Sequence, residues 1–256
     1  MGRVVNESLY DLSSQLQRDG RTMTAEAVDY PAVPAPYDNG GVGAWLGFMD
    51  SVDAGAKALG DQYATFVAHC PTSKVVLAGY SQGAMVVHRN LQALAASPNL
   101  AAVLLIGDGD RRPDDPTFNL GTASGIPERG KGVAQDWPIL AHAPAPLAPE
   151  IGARTISVCD LNDAVCDYNE DADDSKAAYA RRVAIHTSYG VGKTQGLGWT
   201  APLYFLLGPA PTANQVLAPG LDARAINSTT TPAASTSAAS NATMASMAPA
   251  GDIPAR

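Results

Sequence analysis

Gly79-Tyr80-Ser81-Gln82-Gly83 is the stretch whose reading decides the fold. It is entered from an apolar run, Lys74-Val75-Val76-Leu77-Ala78, that reads as a buried strand. It is left through Ala84-Met85-Val86-Val87-His88-Arg89-Asn90-Leu91, which reads as a helix. The bare G-x-S-x-G pattern is weak, because glycine is common. Strand, tight turn and helix together are the setting in which it marks a nucleophilic serine. The two glycines answer a steric need: a sharp strand-to-helix turn brings backbone so close that side chains flanking the serine clash. The serine itself is pushed into a strained conformation that lifts its hydroxyl clear of the sheet.

Working outward, the segments alternate between strand and helix. The first residues read as an amphipathic helix, with Val4, Leu9, Leu12 and Leu16 on one face. Residues 24–30 read as a short strand closed by Pro31 and Pro34, and 45–67 as one long helix. Leu100 to Ile106 and Arg154 to Val158 read as further buried parallel strands. This alternation predicts an α/β fold: a doubly wound, mostly parallel sheet in three layers. The 107–151 stretch is rich in Pro and Gly and reads as a long functional loop. Its apolar members Phe118, Leu120, Trp137, Ile139 and Leu140 either rim a cleft or pin the loop to the core. From residue 209 to 256 Ala, Thr, Ser, Pro and Asn take over without apolar periodicity, as expected for a disordered tail. Residues 1–208 form the domain.

Composition narrows the partners. Asp and Glu number 25 against 17 Lys and Arg, a formal net charge of -8, so no basic stripe exists to neutralise phosphates and a nucleic-acid partner is disfavoured. No apolar run reaches bilayer-spanning length. The N-terminus has neither the apolar core nor the cleavage site of a signal peptide. Sequons at Asn6, Asn227 and Asn241 are read as chance. Oligomeric state has no signature here.

A serine hydroxyl needs a base, and the base needs a group that orients it and stabilises its charge. In sheets of this type the order along the chain is Ser, then Asp or Glu, then His. Of the four histidines, His69 ends the helix before the serine strand. His88 lies two turns down the helix behind the serine, and His142 falls in the Pro-rich loop. That leaves His186 as the base. Asp160, Asp163 and Asp167 all qualify by position as the acid. Cys159 and Cys166, seven apart, have a spacing that suits a small closed loop, though a reduced pair remains open; a metal site is disfavoured because no His lies at short ligand spacing. Asp163 sits near the middle of that loop, where a closed ring would hold its carboxylate still. Glu170, Asp171, Asp173 and Asp174 read as solvated charge. The N–H of Gln82 is the expected donor to the oxyanion; a second donor, from a loop after an early strand, has no obvious place.

These residues converge on a pattern that resembles the cutinase family of serine esterases, especially its actinobacterial members. The matching pieces are Cys70-Pro71 leading into the serine motif, then Cys159-Asp-Leu-Asn-Asp163-Ala-Val-Cys166, then His186-Thr-Ser-Tyr189-Gly190, with Tyr30-Pro31-Ala32 as an early strand end. The resemblance spans roughly residues 2 to 207. It implies an α/β-hydrolase domain with a short sheet, and Ser81, Asp163 and His186 as nucleophile, acid and base. It also implies an oxyanion N–H from Gln82, a Cys159–Cys166 disulfide, a secreted or cell-surface location and no metal or organic cofactor. The implied activity is hydrolysis of lipid, polyester or small acyl esters. The chain departs from the family in starting after the first cysteine, strand and Gly-Thr or Gly-Ser turn. The expectation is therefore a sheet lacking its first strand, Cys70 without its usual partner, and impaired activity. The alternative from another class is a non-catalytic surface or interaction protein on a hydrolase scaffold. Acyl transfer to another alcohol or a thiol would use the same residues.

Overall fold

The computed structural model describes residues 2–36, 41–136, 145–169, 171–173, 175–190 and 198–209, and the backbone of 242–247. Among the described residues six parallel strands form one sheet: β1 (Met23–Val28), β2 (Lys74–Tyr80), β3 (Leu100–Ile106), β4 (Phe118–Leu120), β5 (Thr155–Val158) and β6 (Ala242–Met247), in the order β1-β6-β2-β3-β5-β4. Helices α1 (Arg3–Arg18) and α6 (Thr200–Leu206) cover one face, and α2 (Val42–His69) and α3 (Gln82–Leu94) cover the other.

The period of two along a strand explains how near-continuous apolar runs serve both faces. Val75 and Leu77 of β2, with Val103 and Leu105 of β3, pack on Val52, Leu59, Val86, Val87 and Leu91 of α2 and α3. Val76 and Ala78, with Leu104 and Ile106, face Val5, Leu9, Leu12 and Leu16 of α1 and Leu203 of α6. The α1–α6 contact also has a buried polar anchor: Trp199 Nε1 donates to Ser8 Oγ at 2.8 Å, and Ser8 Oγ donates to Val4 O at 2.8 Å.

Two features differ from the sequence expectation. Between β1 and β2 stands β6, so Ala242–Met247, within the stretch read from sequence as tail, form a strand of the sheet. A parallel strand is held by backbone groups, and Ala-Thr-Met-Ala-Ser-Met contains no proline to interrupt the ladder. Residues 210–241 and 248–256 lie outside the described residues. The 107–151 stretch, read as one loop, carries edge strand β4, a 3₁₀ turn at Val133–Gln135 and a short helix α4 at Pro149–Gly152. Phe118 is half exposed and Leu120 packs against the core. Trp137, Ile139 and Leu140 lie outside the described residues.

Candidate active site

Ser81 occupies the turn between β2 and α3 with φ 54° and ψ −124°. Such a conformation costs a non-glycine residue about 1–3 kcal/mol. The surroundings impose it: Ser81 N–H donates to Ile106 O at 2.9 Å, and its carbonyl accepts from Ala84 N at 2.9 Å and Met85 N at 3.2 Å. A Cβ on Gly79 would come within 2.3 Å of Gly83 O, so this turn closes only around glycine. Gln82 opens α3 at a position where the helix supplies no acceptor for its N–H. Its side chain is committed elsewhere: Nε2 donates to Val33 O at 2.8 Å. That contact ties the 30–36 segment to the nucleophile helix. Ala32 in that segment has φ 48°, and Val33 N–H donates to Ser51 Oγ at 3.0 Å.

His186 is the last residue of α5 (Lys176–His186). Its Nε2 lies 2.9 Å from Ser81 Oγ, and its Nδ1 lies 2.9 and 3.0 Å from the two oxygens of Asp163. The imidazole stacks on the Tyr80 ring at 5.1 Å between centroids, and Tyr80 OH donates to His186 O at 2.7 Å. Beneath the ring lies Gly107, at φ 59°, where a Cβ would come within 2.9 Å of His186 Cε1. Asp163 is fully buried in the loop that the Cys159–Cys166 disulfide closes. Its Oδ1 accepts from Val165 N at 2.6 Å and Cys166 N at 3.0 Å. Burial pushes the carboxyl pKa up. The charge and hydrogen bond of His186 and the two backbone N–H groups outweigh burial and hold it below the usual carboxylate value. Serine, imidazole and carboxylate thus form one hydrogen-bonded line at the carboxyl ends of β2 and β5.

Sequence comparison gives the family: the cutinase family model matches residues 2–197. The chain belongs to the cutinase family. A cutinase of Hypocrea jecorina (strain QM6a) is 29% identical over 191 residues, covering 69% of this chain and 59% of that relative. Acetylxylan esterase 2 of Talaromyces purpureogenus is 25% identical over 183 residues, covering 65% of this chain and 66% of that protein. The chain spans about three fifths of the length of the Hypocrea cutinase. Among solved structures, an acetylxylan esterase aligns with TM-score 0.49 and 22% identity over 77% of this chain and 87% of that one. The catalytic core of the Trichoderma reesei acetyl xylan esterase aligns with TM-score 0.49 and 20% identity over 78% and 88%.

In this cutinase-family chain the other candidates are placed apart from Ser81. Asp160 accepts from Thr122 N at 2.9 Å and Thr122 Oγ1 at 3.0 Å. Asp167, one of the three aspartates that qualified by position as the acid, is buried away from the imidazole: it accepts from Asn162 N and Gly130 N, both at 2.6 Å, and pairs with Arg129. Its task is to hold the cysteine loop against the 129–131 segment. His69 is at the surface on Thr65 O, and His142, Glu170 and Asp174 lie outside the described residues. Cys70 is a free thiol. Sequence reasoning missed Tyr80, Gly107 and Tyr189. Tyr80 is part of the serine motif itself, and its ring contact with His186 sets it apart there. Tyr189, three residues past His186, accepts from Asp160 N–H at 2.7 Å through its hydroxyl and packs edge-on to the His186 ring.

Proposed function

We propose that the chain is a carboxylic ester hydrolase working through an acyl-serine intermediate. The observation that carries this is the Ser81–His186–Asp163 line, with both hydrogen bonds of the imidazole within 3.0 Å. Ser81 Oγ attacks the ester carbonyl carbon as His186 Nε2 takes the hydroxyl proton. Asp163 holds Nδ1–H, fixing the tautomer, and its negative charge stabilises the imidazolium that forms. The C-terminal end of α5 and the face of Tyr80 favour the same cation. The N–H of Gln82 donates to the carbonyl oxygen as it gains charge. His186 returns the proton to the leaving alcohol, then activates water, which releases the acid and restores Ser81.

Membership of the cutinase family supports ester hydrolysis, and the relatives named cutinase and acetylxylan esterase lend support to polyester or acetyl esters as substrates. The disulfide supports an oxidising location, secreted or at the cell surface. The test is labelling with an active-site phosphonate alongside a p-nitrophenyl ester series of rising chain length. Wild type labels and turns over ester, whereas Ser81→Ala does neither. Equal labelling of the two proteins refutes the assignment, and an unlabelled, inactive wild type favours the non-catalytic scaffold.

A further inference from the structure

Behind the nucleophile lies a buried ionic cluster that the triad chemistry leaves unused. His88, two turns along α3 from Ser81, places Nδ1 at 2.6 Å from Asp108 Oδ2 and Nε2 at 3.9 Å from Asp115 Oδ2. Asp108 Oδ1 accepts from Asp110 N–H at 3.0 Å. The next helical residue, Arg89, donates from Nε to Asp110 at 2.9 Å and pairs with Asp53 of α2 at 2.7 Å. Arg111 donates to Ser157 Oγ and Asn119 Oδ1 and to Gly130 O. Asp115 Oδ1 accepts from Leu147 N–H at 2.8 Å. His88, Asp108, Asp110 and Asp115 are all buried.

Asp108 adjoins Gly107, the residue on which the His186 ring rests. Gly107 N–H is in turn bonded to Val158 O at 3.0 Å, and Ile106 O accepts the N–H of Ser81. One helix therefore carries the nucleophile at its start and, two turns later, the side chain that grips the floor under the base. We propose that the His88–Asp108 pair is a positioning pair for catalysis, fixing Gly107 so that His186 stays in hydrogen-bonding line with Ser81 and Asp163. This rests on the ester-hydrolase reading. Burial opposes charge on His88, but Asp108 by charge and hydrogen bond, with Asp110 and Asp115, outweighs it and raises the imidazole pKa. A charged pair of this kind is the stiffer clamp.

The experiment compares wild type, His88→Gln, His88→Leu and Asp108→Asn, with kcat expressed per phosphonate-titrated serine and thermal stability recorded beside it. Misplacing a reacting group by a fraction of an ångström to 1 Å costs up to about 100-fold, so His88→Leu and Asp108→Asn are expected to lose about 10- to 100-fold in kcat with KM little changed. His88→Gln, which keeps a donor for Asp108, recovers part of that loss. A lower melting temperature with unchanged kcat per titrated serine overturns the proposal, as does a loss confined to KM. Should His88→Leu yield no soluble protein, Asp108→Asn, close to isosteric, carries the kinetic decision. A second readout needs no turnover: the downfield proton between His186 Nδ1 and Asp163 shifts or broadens in the variants. An unmoved resonance overturns the inference even if wild type hydrolyses nothing, so the two readings fail separately.

Discussion

Asp163 is the residue at which burial, covalent closure and the proposed catalysis meet. It is enclosed by the disulfide ring, takes two backbone N–H groups on one oxygen and faces the imidazole with both. Asp163→Asn keeps the shape but removes the charge that stabilises the imidazolium and favours the wrong tautomer; kcat should fall by about 10⁴-fold, with KM near wild type, in steady-state kinetics on a soluble ester. The same carboxyl has a pH signature. Its folded pKa is held below the ordinary carboxylate value, so the folded state binds this proton more weakly than the unfolded chain. Its contribution to stability is present above that value and lost as pH falls through the folded pKa. The chain narrowed the aspartate to three by position, and the closed-loop argument favoured Asp163 among them without deciding it. The burial of Asp167 was not legible, because its partners Arg129 and Gly130 are far away in sequence and carry no motif.

At the scale of elements, the sheet depends on β6. It pairs with β1 along its whole length and with β2 over Ala242–Ser246. Deleting 242–247 would leave two facing rows of unmet backbone groups. At about 1 kcal/mol net per lost hydrogen bond, the loss is comparable with the whole stability of a domain. The deletion is therefore expected to give insoluble or molten protein by circular dichroism. In the intact chain, amide hydrogen exchange of 242–247 should be slowed to the level of β2; exchange at unfolded-chain rates there would show the strand to be unpaired. Strands β2, β3 and β5 were legible because each is a compact apolar run before a turn. Strand β6 was not, since its residues resemble those around them and its place is set by the backbone edges of β1 and β2. Helix α1 announced itself by Leu9, Leu12 and Leu16, which the structure buries completely or nearly so against the sheet.

For the whole molecule, the buried cluster under α3 gives stability an alkaline limb. The folded pKa of His88 is raised above the ordinary imidazole value of about 6.5, so its contribution is fully present below that pH and lost as pH rises through the folded pKa. Asp110 acts in the same direction: burial, eased by Arg89, pushes it up to about 6, so the folded state holds its proton more tightly and loses stability between about pH 4 and 6. The melting temperature should fall as pH is raised from 6.5 towards the folded pKa of His88. Asp108→Asn should flatten that fall, which scanning calorimetry across pH would read.

What the chain determined on its own was local or ordered: strand, glycine-framed serine, helix; a cysteine-bounded aspartate; a late histidine. Each follows from sterics and side-chain period acting over a few residues, and the order of the three motifs along the chain carried the rest. Only the tertiary structure decided which groups meet across more than a hundred residues, which of three carboxylates faces the imidazole, that Gly107 lies under it, and that His88 grips the adjoining loop. It also decided which strand stands between β1 and β2. Those outcomes arise from side chains distant in sequence sharing one desolvated space, and from backbone hydrogen bonding, which leaves little mark on the pattern of residues.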